Sequence, residues 1–239
     1  MKLTFLGTSN ASPKRNRYCT SVMIEHSGYH YILDLGAPVV YLLAQQDIPL
    51  NTVKGIFLTH LHPDHADALT AVTYAFNKVD TELFLPEKEA LEPYYTWMQC
   101  IHIKMPPEAL QVKVTEPGVV FDQYGMKVTA VLTDHLKGDA PSYAYIFEAD
   151  GKRVLFSGDL GHEFHDYPSV LKEEDFDLVV MELAHIPMDK AQEIFKGTRT
   201  KQMIFYHLGL HHVKKLAETG MTFEFPYLIA SDGFQYDVI

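Results

Sequence analysis

The sequence predicts an α/β protein whose sheets are mixed rather than purely parallel. Three observations lead there. Short β-rich runs recur along the whole chain, and segments of helical period lie between some of them. The helices do not follow every strand, as a doubly wound parallel sheet would require. Two dipeptides with turn chemistry, Ser27-Gly28 and Asp150-Gly151, sit between neighbouring β-rich runs and read as hairpins.

Taken in order, Met1 to Gly7 carries too short an apolar run for a signal peptide and reads as a first strand, Leu3–Leu6. Ser21–His26 and Tyr29–Asp34 follow as a hairpin pair about Ser27-Gly28, and Pro38–Gln45 as a helix. The apolar run Gly55–Thr59 is the next strand, then a helix over Ala66–Phe76, a strand over Glu82–Leu85 and a helix over Glu87–Gln99. Lys127–Leu132, Tyr143–Glu148 and Arg153–Phe156 are strands, the last two joined at Asp150-Gly151. Leu178–Met181, Met203–Tyr206 and Tyr227–Ala230 complete the strands, with helices over Met188–Phe195 and Leu210–Glu218.

The chain of 239 residues, 47% of them apolar, can bury a full core, which suits one domain over residues 1–239, or at most two small domains. Its two cysteines, Cys19 and Cys100, lie far apart without CxxC spacing and read as small hydrophobes rather than a disulfide or a zinc knuckle. No stretch approaches the roughly 20 apolar residues of a membrane helix. A reduced, cytoplasmic enzyme is the expectation, with no membrane contact and a homodimer left open. The net charge of −11 opposes broad attraction to nucleic acid. The sign is uneven, however. Lys14, Arg15 and Arg17 make one loop locally basic, so a small anionic substrate could be steered where a long polyanion would be repelled.

The chemistry concentrates where strands end. The strand Gly55–Thr59 breaks at once into His60-Leu61-His62-Pro63-Asp64-His65, four metal-type ligands within six residues on what reads as a loop. Imidazole suits zinc, iron or manganese, and the carboxylate lets a second ion be held nearby. Pro63 removes a backbone donor and stiffens the turn. A random HxHxDH in this composition would arise roughly 0.003 times per chain.

At this point the chain resembles the metallo-β-lactamase superfamily over nearly its whole length, and within it the ribonuclease Z and phosphodiesterase branch. The resemblance rests on Leu3-Thr4-Phe5-Leu6-Gly7-Thr8, the polar basic loop Ser12–Arg17 with Thr20-Ser21, Asp34-Leu35-Gly36, the complete His60–His65 motif, Thr133-Asp134-His135 with Ser142–Tyr145, Ser157-Gly158-Asp159, Phe205-Tyr206-His207 and Ile229–Gly233. It implies an αββα sandwich, two mixed sheets flanked by helices. It also implies two divalent metal ions, zinc first and manganese or iron as alternatives. His60, His62 and His135 would hold one ion; Asp64, His65 and His207 the other, with Asp159 bridging. A water shared by two dications loses its proton near neutral pH, and that hydroxide can attack a phosphodiester.

Weaker assignments surround this set. Asp64 is also a catalytic candidate, and His185 a general acid for the leaving oxygen, against a plain core or surface histidine. Asp34 is either a partner for a ligand ring N–H or a turn residue, and Tyr143 a core aromatic or a neighbour of the site. Lys14, Arg15 and Arg17 are candidates for binding substrate phosphate, against a solvated basic loop. His162, His165, His211 and His212 are placed outside the ligand set. Two departures limit the resemblance. His135 and Asp159 are only 24 positions apart, too close for the long arm of tRNA-processing ribonuclease Z, and no histidine lies between His185 and His207. A small cyclic or linear phosphodiester is therefore the leading substrate class. A carboxylic ester, lactone or thioester on the same metals is the alternative, and a non-catalytic binding protein the third reading.

Overall fold

The computed structural model describes residues 1–11, 15–104 and 109–239. Two mixed seven-stranded sheets pack face to face. The first comprises β1 (Lys2–Gly7), β2 (Ser21–His26), β3 (Tyr29–Leu33), β4 (Val53–Phe57), β5 (Thr81–Leu85), β6 (Leu110–Val114) and β14 (Gln235–Asp237), in the order β14-β1-β2-β3-β4-β5-β6. The second comprises β7 (Gly118–Gln123), β8 (Met126–Thr133), β9 (Ser142–Ala149), β10 (Lys152–Phe156), β11 (Leu178–Glu182), β12 (Met203–Tyr206) and β13 (Tyr227–Ile229), in the order β13-β12-β11-β10-β9-β8-β7. The pairings β14-β1-β2-β3 and β7-β8-β9-β10 are antiparallel, and the rest of each sheet is parallel. The mixed character expected from the sequence is thus present in both halves.

Strand alternation divides the core into three layers. Phe5, Tyr31, Phe57, Phe147, Phe156 and Tyr206 point between the sheets, where Phe57 stacks on Phe84 at 4.8 Å. Their strand neighbours Ile32, Ile56 and Leu83 point outward against α1 (Val39–Gln45), α3 (Leu69–Phe76) and α4 (Leu91–Cys100). Leu155, Val179, Met181 and Phe205 likewise cover themselves with α5 (Val170–Glu173), α6 (Ala191–Phe195) and α7 (Leu210–Thr219). Burying both faces of a strand explains why these runs read as nearly continuous apolar stretches. The layering is helix, sheet, sheet, helix, as the resemblance implies. Among the described residues no helix is long and apolar enough to cross a membrane.

Both anticipated hairpins form, with positive φ at Ser27 and Gly28 and at Asp150 and Gly151, the primed turn that matches strand twist. Strands β6, β7 and β14 go beyond the expected set. Strand β7 buries only Phe121 fully, and three-residue β14 exists through pairing with β1 from the other end of the chain. The helix expected over Ala66–Phe76 is divided. A four-residue helix α2 (Pro63–Ala66) precedes α3, and Asp67 and Ala68 separate them. Pro63 opens α2, where a missing N–H breaks no helical bond. Asp64 and His65 accordingly stand on a helical turn, not on the loop the sequence suggested.

Candidate metal centre

The strands β3, β4, β8, β10, β11 and β12 all end at one rim of the sandwich, and each is followed there by a side chain of the site. Carboxyl ends of strands in α/β sheets are where the chain turns away and leaves a crevice. After β4, Leu58 still bonds to Phe84 O, and Thr59 then fixes the turn into His60. Asp34, fully buried after β3 with φ of 60°, organises this segment. Its Oδ1 accepts from the Thr59 amide at 2.8 Å, and its Oδ2 accepts from His65 Nδ1 at 2.8 Å. Asp34 is therefore the ring partner rather than a turn residue, and the bond leaves Nε2 as the free nitrogen of His65. Ser21 Oγ donates to the Asp34 carbonyl, and the Leu35 amide donates to His65 O at 2.6 Å.

The second sheet supplies the rest. His135 follows β8; its amide donates to Ser142 Oγ at 3.1 Å and its Nδ1 to the Leu160 carbonyl at 3.0 Å. Asp159 follows β10 through Gly158, whose φ of 58° places its Cα where a Cβ would come within 2.7 Å of Tyr143 O. His207 follows β12 with φ of 46°, a left-handed backbone that a non-glycine residue keeps only when held there. The seven residues converge. Ligand atoms lie within 4.8 Å of one another in each of three sets: His60, His62 and His135; His60, His65 and Asp159; Asp64, His65 and His207. Asp159 faces both ends, with Oδ1 3.2 Å from His65 Nε2, and Oδ2 3.1 Å from His207 Nε2 and 3.9 Å from His135 Nε2.

Burial and charge show that this cluster suits a cation. His60 Nε2, His65 Nε2 and Asp159 Oδ1 are buried and lack a hydrogen-bond partner among the described residues, the 3.2 Å approach of the last two being out of alignment. Such orphaned atoms are costly unless something fills the space between them. Burial and the neighbouring His65 hold the His60 imidazole well below its usual range, hence neutral with a lone pair to give. Burial also lowers His65, but the carboxylates of Asp159 and Asp34 outweigh it and raise the group well above normal. Asp159, which burial would raise, is held far below the carboxylate range by His207 and His65. Both shifts have one cause: buried carboxylates that favour positive charge at this point, the setting a bound cation would share.

At the rim stands His185, half-buried, its ring 4.8 Å from that of His135 and its Nδ1 3.9 Å from Asp159 Oδ2. Its partner is Glu182 at the end of β11, a carboxylate with no exposed surface. Glu182 Oε1 accepts from His185 Nδ1 at 2.8 Å and from the Leu160 amide at 3.0 Å, and Oε2 accepts from the His185 amide at 3.1 Å. Burial lowers the imidazole, yet the hydrogen bond and charge of Glu182 push it up to about 9.

Of the three basic residues, the structure describes two. Lys14 lies outside the described residues, and Arg15 is exposed. Arg17 turns inward, donating to Leu208 O at 3.0 Å and Thr8 O at 2.6 Å. Tyr143 is a core aromatic whose hydroxyl donates to Thr115 O. His162, His165 and His211 are exposed, while buried His212 accepts the Gly209 amide at its Nδ1, 3.3 Å away. Sequence reasoning missed Glu182, Thr20 and Asp232. Only Glu182 left a signal, a charge closing an apolar strand three residues before a histidine.

Several known proteins are similar to this chain. Ribonuclease Z of Methanocaldococcus jannaschii is 28% identical over 154 residues, covering 62% of this chain and 47% of the relative. Ribonuclease Z of Halalkalibacterium halodurans is 27% identical over 158 residues, 64% of this chain and 50% of the relative. The chain thus spans about half the length of these curated relatives. The metallo-β-lactamase fold protein YhfI of Bacillus subtilis superposes with a TM-score of 0.77 at 18% identity, covering 99% of both chains. Human tRNase Z, short form, superposes with a TM-score of 0.74, also at 18% identity, covering 100% of each chain. These matches show the metallo-β-lactamase fold with a ribonuclease Z-like likeness. A family model described as Anti-Pycsar protein Apyc1 matches residues 1–225. The chain therefore belongs to the Anti-Pycsar protein Apyc1 family.

Proposed function

We propose that the protein is a metal-dependent hydrolase with two metal sites, acting as a phosphodiesterase on small cyclic or linear diesters. The observation that carries this reading is the convergence of orphaned ligand atoms beside a histidine held by a buried carboxylate. His60, His62 and His135 would hold one ion and Asp64, His65 and His207 the other, with the Asp159 carboxylate between them. The imidazole-rich donor set favours zinc, with manganese or iron as alternatives. When bound, two such ions lower the pKa of a shared water and neutralise charge on phosphoryl oxygens.

The chain's own groups move the protons. Asp64 accepts a proton from the attacking water as its oxygen adds to phosphorus. The bond from phosphorus to the leaving oxygen breaks on the opposite side, and that oxygen keeps the electron pair. His185, its Nδ1 committed to Glu182, donates the proton from Nε2 to the leaving oxygen, and the Glu182 carboxylate steadies the imidazole through the transfer. Asp34 and Thr20 hold the rings of His65 and His207 so that Nε2 faces inward.

A small substrate fits best. Between His135 and Asp159 the chain is taken up by a short loop, β9, β10 and their turn, with no inserted arm, and the net charge of −11 repels a long polyanion. The test compares metal-loaded protein on a cyclic diester, an aryl diester, the aryl monoester, a lactone and a 3′-extended tRNA precursor. Diester turnover well above monoester and lactone is expected, with weak cutting of the precursor. Faster lactone turnover would move the protein to carbon-ester chemistry, and specific precursor cutting at the small-diester rate would overturn the small-substrate reading.

A further inference from the structure

We propose that Arg17 and Thr20 are positioning residues for His207, and that they set the affinity of the second metal site rather than bind substrate. The inference rests on the two-metal reading above. His207 carries two constraints that its own strand cannot supply. Its backbone is left-handed at φ 46°, one residue beyond β12, and its ring must present Nε2 to Asp64 and Asp159.

The loop following β1 supplies both. Thr20, fully buried, places Oγ1 2.6 Å from His207 Nδ1 and 3.3 Å from Ser9 O. A hydroxyl has one hydrogen. Donated to the Ser9 carbonyl, it leaves Oγ1 to accept from His207 Nδ1–H. That fixes the tautomer whose Nε2 lone pair is free to bind metal. Arg17 holds the backbone on the other side of the ligand. One guanidinium nitrogen donates to Leu208 O at 3.0 Å, and the other to Thr8 O at 2.6 Å and Thr8 Oγ1 at 2.9 Å. Thr8 is itself anchored, its amide and hydroxyl both donating to Asp232 Oδ1 at 3.0 and 2.7 Å, while Asp232 Oδ2 accepts the Tyr18 amide at 2.6 Å. The Leu208 amide returns a longer bond to Thr8 O at 3.4 Å. A guanidinium held this way has its charge aimed at backbone carbonyls and cannot also clamp a phosphate with the same nitrogens.

The test uses the 239-residue chain as Thr20→Val, Thr20→Ser, Arg17→Met and Arg17→Lys, with circular dichroism to confirm folding. Metal-free protein is titrated with cobalt, followed by its d–d absorption and by calorimetry. Wild type should take up two ions. Thr20→Val and Arg17→Met should weaken one of them about 10- to 100-fold and leave the other unchanged. Thr20→Ser should restore wild-type affinity, and Arg17→Lys, which lacks the fork, should not. The KM for an aryl diester should stay at its wild-type value in metal-saturated Arg17→Met. Imidazole 15N spectra of the metal-free protein should show His207 Nδ1 carrying a slowly exchanging proton held by Thr20, and that proton should exchange rapidly in Thr20→Val. Unchanged metal affinity with a raised KM in Arg17→Met would overturn the proposal and return Arg17 to the substrate. A wild type binding fewer than two ions would instead defeat the two-metal reading, while the exchange of the His207 Nδ1 proton would still decide the role of Thr20.

Discussion

Replacing Glu182 by glutamine separates stability from proton donation, because the shape is kept and the charge removed. The carboxylate accepts three N–H groups, from Leu160, from His185 Nδ1 and from the His185 amide. A glutamine carbonyl at the Oε1 position keeps the first two. Its NH2 then meets the His185 amide, donor against donor. One bond to a charged acceptor is lost and a buried N–H is left without a partner, which costs about 2–4 kcal/mol of stability. The chemistry suffers differently. A positioned general acid is worth about 10²–10⁴ in rate, and only where the leaving oxygen needs a proton. The assay measures kcat on an alkyl diester and on bis-p-nitrophenyl phosphate, with metal content checked in parallel. A fall of about 100-fold is expected on the alkyl diester, with little change on the activated one, since p-nitrophenolate departs without protonation. Equal losses on both substrates at full metal content would refute the proton-donor assignment of His185.

Two further outcomes follow from the same geometry. Asp159→Ala removes the carboxylate within 3.2 Å of both His65 and His207 Nε2, so elemental analysis should find both ions lost together and activity gone; two retained ions and wild-type rate would defeat the bridging role. His212, buried and beside His211, is held neutral down to about 4, below its unfolded value. The unfolded chain then takes up a proton first, so stability is fully present above about pH 6.5 and declines as pH falls towards 4, by at most about 1.4 kcal/mol per pH unit from this group. Chemical denaturation across that range should show a shallower decline in His212→Asn, whose amide oxygen can still accept the Gly209 amide; identical slopes would rule the effect out.

The mixed α/β class and the His60–His65 cluster of metal-type side chains were legible in the residues alone. Alternation and turn chemistry are local properties, so β2 and β3 with their Ser27-Gly28 turn, and β9 and β10 with Asp150-Gly151, could be read directly. The His60–His65 segment announced itself because its six residues carry their chemistry within a single turn of chain. Edge strands were less legible. Strand β7 buries little, and β14 is defined by a partner more than 200 residues away. Only the tertiary structure decided which polar groups hold the clustered histidines. Glu182, Thr20 and Asp232 are ordinary residues until folding sets them against His185, His207 and Thr8, across separations of 3, 187 and 224 positions. Arg17 shows the same limit from the other side. In sequence it belongs to a basic loop that reads either as a phosphate site or as solvated surface, and in the fold its charge is turned to the carbonyls of Thr8 and Leu208. A side chain's type fixes what it can bond, whereas its partner is chosen by which chain segments the packed sheets bring within 3 Å.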